Sequence, residues 1–198
     1  MILYIYISSG GTVYGNGSSK PFLEMNSTDP ISPYGITKLA IEKYAQMFFK
    51  QNGFPVVIAR PSNPFGINQF QVFGQGFIAA AYRALTQGTE LSIYGDRGTI
   101  RDYIYIDDLA MGIGSILKSG KNGEIYNIGS GVGYDNIEIL ELLRNCLDMR
   151  LPKISRLPKR PFDAEYSVLN IDKIKNDTGW APKFDLKLGI LTMLKRLR

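Results

Sequence analysis

Residues 2–60 read as a strand, a long helix and a second strand, and that order constrains the chain more than any other feature. Residues 2–7 form a continuous apolar run that ends in Ser8-Ser9-Gly10-Gly11, as suits a strand buried on both faces of a parallel sheet. From Ser32 the spacing turns helical: Ser32 can cap the helix, Pro33 suits its first turn and Gly53 can end it. Residues 55–60 are apolar again up to Arg60. A strand, helix and strand in that order imply a right-handed parallel crossover. The polar loop after the first strand then lies where open α/β sheets bind ligands; a plain connector would ask nothing of it.

The alternation continues. A helix is expected over 76–87, strands over 91–94 and 102–106, and a helix capped by Asp107 or Asp108 through 117. A strand over 124–128 and a helix over 136–148 follow, then a Pro-rich loop over 151–161 holding at most one strand, and helices over 172–178 and 186–197. The segment 60–70, rich in Pro, Asn and Gly, is expected to be a loop. With no internal repeat, the fold class is α/β, its sheet already under way at the first residue.

Composition narrows the chemistry. The chain has 198 residues, no histidine and one cysteine, Cys146. His-dependent triads, most zinc sites and thiolate clusters are thereby removed, so no metal is expected and reactivity falls to Tyr, Lys, Ser, Thr or carboxylates. A lone cysteine forms no disulfide within the chain, and the first residues carry no basic stretch of a secretory signal, which suits a reducing cytoplasm. No apolar run approaches the roughly 20 residues that span a bilayer, so no membrane partner is expected. The net charge of +5 is dispersed, without a basic arm for nucleic acid. It would suit a ligand with two phosphates if the arginines converged on one cleft.

Tyr34 and Lys38 stand four apart on the expected helix, hence on one face and one turn apart. An ammonium there favours the phenolate of a neighbouring phenol and so a tyrosine base. Such a pair arises about once by chance in a chain this rich in Tyr and Lys, and usually only decorates a helix. Its position changes the weight, because the pair opens a helix that follows a loop offering the hydroxyls of Ser8, Ser9 and Thr12.

At that point the sequence resembles the extended short-chain dehydrogenase/reductase family. The resemblance runs through SSGGTVYG at 8–15, SPYGITKLAIE at 32–42, ARPSNPFG at 59–66, GDRGTIRDYIYIDDLA at 95–110, YNIGSG at 126–131 and the tail from Arg160. It is strongest to UDP-glucose 4-epimerase-like members. The resemblance implies the C-terminal portion of an NAD-binding Rossmann-type sheet over 1–66, and over 67–198 mainly a smaller α/β domain for the nucleotide-sugar, with 102–118 returning to the first part. It also implies bound NAD, a UDP-sugar substrate and, in full-length members, a homodimer. In such enzymes NAD takes a hydride from sugar C4 while the tyrosinate removes the hydroxyl proton; the 4-keto sugar turns over and the hydride returns to its other face.

Carried over residue by residue, the resemblance assigns Tyr34 as the base and Lys38 as its partner at the nicotinamide ribose. Thr12, Ser8 and Ser9 become the loop hydroxyls, and Ser62 marks backbone close to NAD. Asn63 is assigned to the sugar, Arg101 and Arg160 to the diphosphate, and Asp163 to the uridine ribose. Without the family, Asn63 reads as a turn former, the two arginines as surface ion pairs and Asp163 as a loop cap.

The chain departs from the family in two places. A Ser or Thr is usual where Gly10 stands, so Thr12 or Ser9 is left to reach the sugar O4. Related 4,6-dehydratases place Asp-Glu at Gly11-Thr12, and the loop has neither carboxylate, which favours an epimerase. The Gly-rich strand-to-helix turn that holds the cofactor pyrophosphate is not found. The expectation is therefore an N-terminally truncated family member, with an open sheet edge and low stability on its own. An inactive remnant or a nucleotide-sugar-binding subunit is the alternative function, ahead of a dehydratase or a reductase.

Overall fold

The computed structural model describes residues 3–17, 20–70 and 76–197. Ile2, the first residue of the expected opening strand, lies outside them. The strand itself is β1 (Tyr4–Ile7), and β2 (Val56–Pro61) runs parallel beside it with Tyr4 opposite Val56 and Ile7 opposite Ala59. Between them runs α1 (Pro33–Asn52). Its start follows from Ser32, whose side chain accepts the Gly35 N–H at 3.1 Å, and its end from Gly53, left-handed at φ 65°.

The strand β6 (Ile125–Ile128) lies parallel to β2 on the other side, giving the order β1-β2-β6. Every residue of β2 is buried, as a central strand of a parallel sheet requires. Among the described residues, the other edge of β1 carries no strand. Beyond β2 the chain forms β3 (Asn63–Phe65) and a 3-10 turn (Ile67–Phe70), where a loop was expected. Parallel pairing of Asn63 with Tyr103 of β5 (Ile100–Tyr105) orders that polar segment, a tertiary effect that local composition does not carry.

The remaining elements are α2 (Phe77–Gln87), β4 (Leu91–Tyr94), α3 (Ile106–Ser119), β7 (Gly133–Tyr134), α4 (Asn136–Leu147), β8 (Ile154–Leu157), β9 (Tyr166–Ser167), α5 (Asp172–Thr178) and α6 (Leu186–Arg196). β5 takes β7 antiparallel and β9 parallel, and β4 pairs with β8. Two cores result. Val57, Ala59, Leu109, Ile116, Tyr126 and Ile174 fill the space between the β1-β2-β6 sheet and helices α3 and α5. Phe65, Ile78, Leu85, Ile139, Leu143 and Ile190 fill a second core among α2, α4, α6 and β5.

The expected caps of α3 are corrected. Tyr105 occupies the N-cap without a side-chain bond, and Asp107 and Asp108 fall in the first turn, where they complement the helix dipole. Asp108 is fully buried and accepts the backbone N–H of Lys183 and Phe184, tying the turn before α6 to α3. Asp107 instead pairs with Arg196. The strand before α3 also starts two residues early, at Ile100 rather than Asp102.

Candidate functional site

The loop after β1 folds back over the strand ends. Gly10 donates its N–H to Pro61 O at 2.8 Å, and Thr12 and Val13 donate theirs to Ser9 O. A side chain at Gly10 would meet Leu169 Cδ1 at 2.6 Å and Arg60 O at 3.0 Å. Leu169 is fully buried, so the place where a hydroxyl was expected is filled by a leucine from elsewhere in the chain. Thr12 lies against the first turn of α1. A Cβ at Gly35 would sit 2.9 Å from Thr12 O, so only glycine permits that approach.

Tyr34 and Lys38 project from α1 as the spacing implied. Tyr34 is 56% exposed. The Lys38 ammonium donates to Ile7 O at 2.9 Å, at the end of β1, and lies 5.6 Å from the centre of the Tyr34 ring and 5.5 Å from that of Tyr6. Thr12, Tyr34, Arg101 and Asp163 line one cleft of about 330 Å³. Burial lowers the pKa of Arg101, while the nearby Tyr103 and Asp163 act in the other direction. A bound anion would favour this guanidinium further.

Arg160 lies in an adjoining cleft of about 210 Å³ that Asp163 also borders, its guanidinium 3.6 Å from the centre of the Tyr94 ring. Asn63 donates its amide to Asp102 O at 3.2 Å and faces Gly11. Ser8 and Ser62 are buried at the ends of β1 and β2, and their hydroxyls, like that of Thr12, have no hydrogen-bond partner. Ser9 serves the loop through its carbonyl, which accepts the two N–H groups of Thr12 and Val13. Thus Thr12, Tyr34, Arg101 and Asp163 meet in one cleft, Lys38, Ser8 and Ser62 gather at the strand ends beside it, and Arg160 sits one cleft away.

Sequence reasoning missed the polar network beneath this surface. Arg60 forms a two-pronged ion pair with Glu42 of α1, Nε to Oε1 at 2.9 Å and Nη2 to Oε2 at 2.6 Å, with the two side chains only 2% and 1% exposed. Its Nη1 donates to Tyr14 Oη at 2.9 Å and to Glu24 O at 3.3 Å. Tyr14 in turn donates to Asn127 Oδ1 at 2.7 Å, and Asn127 donates to Phe22 O and Asn170 O. Asp102, fully buried, accepts from the backbone of Ser130, Gly131 and Leu169, and its burial raises its pKa. The signal for Arg60 was present: an arginine inside a strand expected to be buried on both faces demands an acid partner, and Glu42 stands eight residues after Tyr34 on the same helix stripe.

A parallel sheet whose strand ends gather a hydroxyl-bearing loop and a tyrosine and lysine on one helix face defines a class, the α/β proteins of the short-chain dehydrogenase type. Within it the chain belongs to the NAD dependent epimerase/dehydratase family, whose model matches residues 2–129. A dTDP-glucose 4,6-dehydratase of Actinoplanes sp. is 30% identical over 188 residues, covering 94% of this chain and 57% of that protein. The crystal structure of UDP-glucose 4-epimerase from Thermotoga maritima with UDP-glucose superposes at a TM-score of 0.90 with 31% identity, over 98% of this chain and 62% of that one. The Thermus thermophilus UDP-glucose 4-epimerase complex with NAD gives 0.89 and 30%, over 98% and 63%. The chain therefore spans less than two thirds of the relatives it matches. No helix among the described residues is long and apolar enough to cross a membrane.

Proposed function

We propose that the chain carries the catalytic and sugar-binding part of an NAD-dependent enzyme that inverts C4 of a UDP-hexose. The single observation that carries this reading is the cleft that brings Thr12, Tyr34, Arg101 and Asp163 together. Relatives include epimerases, 4,6-dehydratases and a reductase, and the loop supports the epimerase reading over the dehydratase one. Gly11-Thr12 offers no carboxylate pair for an elimination.

The donor set suits NAD at its nicotinamide-ribose end. The unpartnered hydroxyls of Ser8 and Ser62 and the Lys38 ammonium stand together at the strand ends, as a ribose needs. Among the described residues, the loop from β1 to α1 runs from 8 to 32, too long for a glycine-rich turn that leads a strand directly into a helix, and the glycines at 129, 131 and 133 after β6 run into β7 before α4. The pyrophosphate cradle is therefore not among them. When bound, NAD would supply the oxidation and re-reduction of sugar C4.

In this reading the Tyr34 phenolate removes the proton of the sugar O4 hydroxyl and later returns it. Lys38 holds positive charge beside the phenol, and Thr12 donates a hydrogen bond at the same oxygen. Asn63 orients the hexose, Arg101 and Arg160 clamp the diphosphate as planar donors do, and Asp163 accepts from the uridine ribose. Ile41, Tyr44, Met47 and Phe48 of α1 are exposed and would face a second subunit in a homodimer of full-length enzyme. A second reading is a chain that binds nucleotide-sugar without turning it over, favoured by the leucine that fills the space beside Gly10 where a loop hydroxyl was expected.

Mixing the chain with NAD and UDP-glucose or UDP-galactose, and following sugar interconversion by NMR, tests both. Turnover that Tyr34→Phe abolishes supports the enzyme. UDP-sugar binding without NAD binding or turnover supports the remnant.

A further inference from the structure

Three parts of the proposed site sit on three separate pieces of chain: Tyr34 and Lys38 on α1, Thr12 on the loop after β1, and Ser62 and Asn63 just past β2. One buried side chain touches all three pieces. Arg60 stands two residues before Ser62, grips Glu42 one turn beyond Lys38, and donates to Tyr14, two residues beyond Thr12. Its fourth bond, to Glu24 O, fixes the far limb of the same loop.

We infer that Arg60 is the positioning residue of this site, setting the loop hydroxyl and the α1 base in register through Tyr14 and Glu42 rather than touching substrate. Three observations go beyond a stabilising ion pair. Glu42 continues the stripe of Tyr34 and Lys38, so the Arg60 fork restrains rotation of the helix face that carries the reactive pair. The guanidinium lies 4.9 Å from the centre of the Tyr14 ring as well as bonding its hydroxyl, so ring and loop are held together. Tyr14 passes the restraint to Asn127, the residue opposite Arg60 across β2 and β6, which anchors both Phe22 and Asn170. Planar, two-pronged donors give this kind of directional fixation, which an ammonium does not.

The inference rests on the proposed reaction only for its kinetic arm, and the test has a second arm free of it. The chain would be labelled with [13Cζ]tyrosine and the Tyr34 resonance assigned by its loss in Tyr34→Phe. Three variants are compared: Arg60→Lys, Tyr14→Phe in case the first fails to fold, and Tyr126→Phe as a control. Tyr126 is as buried as Tyr14, but its hydroxyl bonds Asp177 and the Lys121 N–H, outside the Arg60 network. A positioning role predicts that Arg60→Lys, and Tyr14→Phe likewise, moves or splits the Tyr34 resonance. It also predicts a loss of turnover by about tenfold or more at saturating UDP-sugar, with KM within about threefold. The control should change neither. An unmoved Tyr34 resonance in Tyr14→Phe, or an equal change in the control, overturns the inference. If the wild-type chain turns nothing over, the proposed reaction fails while the resonance arm still decides the role of Arg60.

Discussion

Arg60 at the end of β2 and Arg101 on β5 carry the same guanidinium in opposite settings. Around Arg60 every neighbour is protein: a carboxylate matched prong for prong, a phenol and a carbonyl, all out of water. Around Arg101 the protein supplies little beyond one carbonyl at 3.0 Å and a more distant Asp163, and burial without a matched partner lowers its pKa. A closed network fixes elements in place, and an open one leaves charge for a ligand. The contrast separates residues that hold the site from residues that would use it.

The largest expected effect falls on the closed side. Arg60→Met leaves Glu42 buried without its partner, and chemical denaturation should report a loss of about 3–5 kcal/mol. Stability unchanged within error would mean that the network contributes little and the contrast fails. On the open side, Arg101→Met should leave folding stability within about 0.5 kcal/mol, since no ion pair is lost. Calorimetric titration with UDP-glucose should instead show affinity reduced by about tenfold to a hundredfold, the scale of a charge-assisted hydrogen bond. A stability loss as large as that of Arg60→Met would place Arg101 in the scaffold.

Tyr103, beside Arg101 on β5, sharpens the contrast through pH. Burial pushes its phenol from the ordinary 10 up to about 12, with Arg101 pulling the other way. The unfolded phenol ionises near the ordinary value while the folded one stays neutral. Its share of stability is thus full below the lower value and is lost as pH rises through the upper. Over that window the loss is on the order of 2 kcal/mol, and Tyr103→Phe should flatten it in alkaline denaturation curves. A variant as alkali-sensitive as the wild type would remove Tyr103 as the source.

Much of this architecture was legible from local pattern. The α1 helix was bounded correctly at Ser32 and Gly53 because both ends are set by local chemistry, a hydroxyl cap and a left-handed glycine. The parallel pair β1 and β2 followed from two apolar runs around that helix. β3 was missed because Asn63-Pro64-Phe65 gains its order from β5, some forty residues away in sequence. The α3 cap was misread for a related reason. Asp108 looks like a cap by residue type, yet its carboxylate serves the turn at Lys183 and Phe184. Within the candidate site, Tyr34, Lys38 and Thr12 were singled out through helix spacing and loop position, and the fold places Thr12 and Tyr34 on one cleft. A buried arginine in a central strand called for an acid, but which acid answers it, Glu42 eighteen residues away, is set by how the crossover packs α1 on β2.

The packing of Leu169 against Gly10 bears on how such chains diversify. From the sequence alone, Gly10 stands where a hydroxyl was expected, and Gly10→Ser would supply one. In the folded chain the serine would press on a fully buried leucine and on the Arg60 carbonyl, so the two positions are epistatic. Installing a hydroxyl at 10 is therefore a two-position problem, and Gly10→Ser should cost less stability when the side chain at 169 is first made smaller.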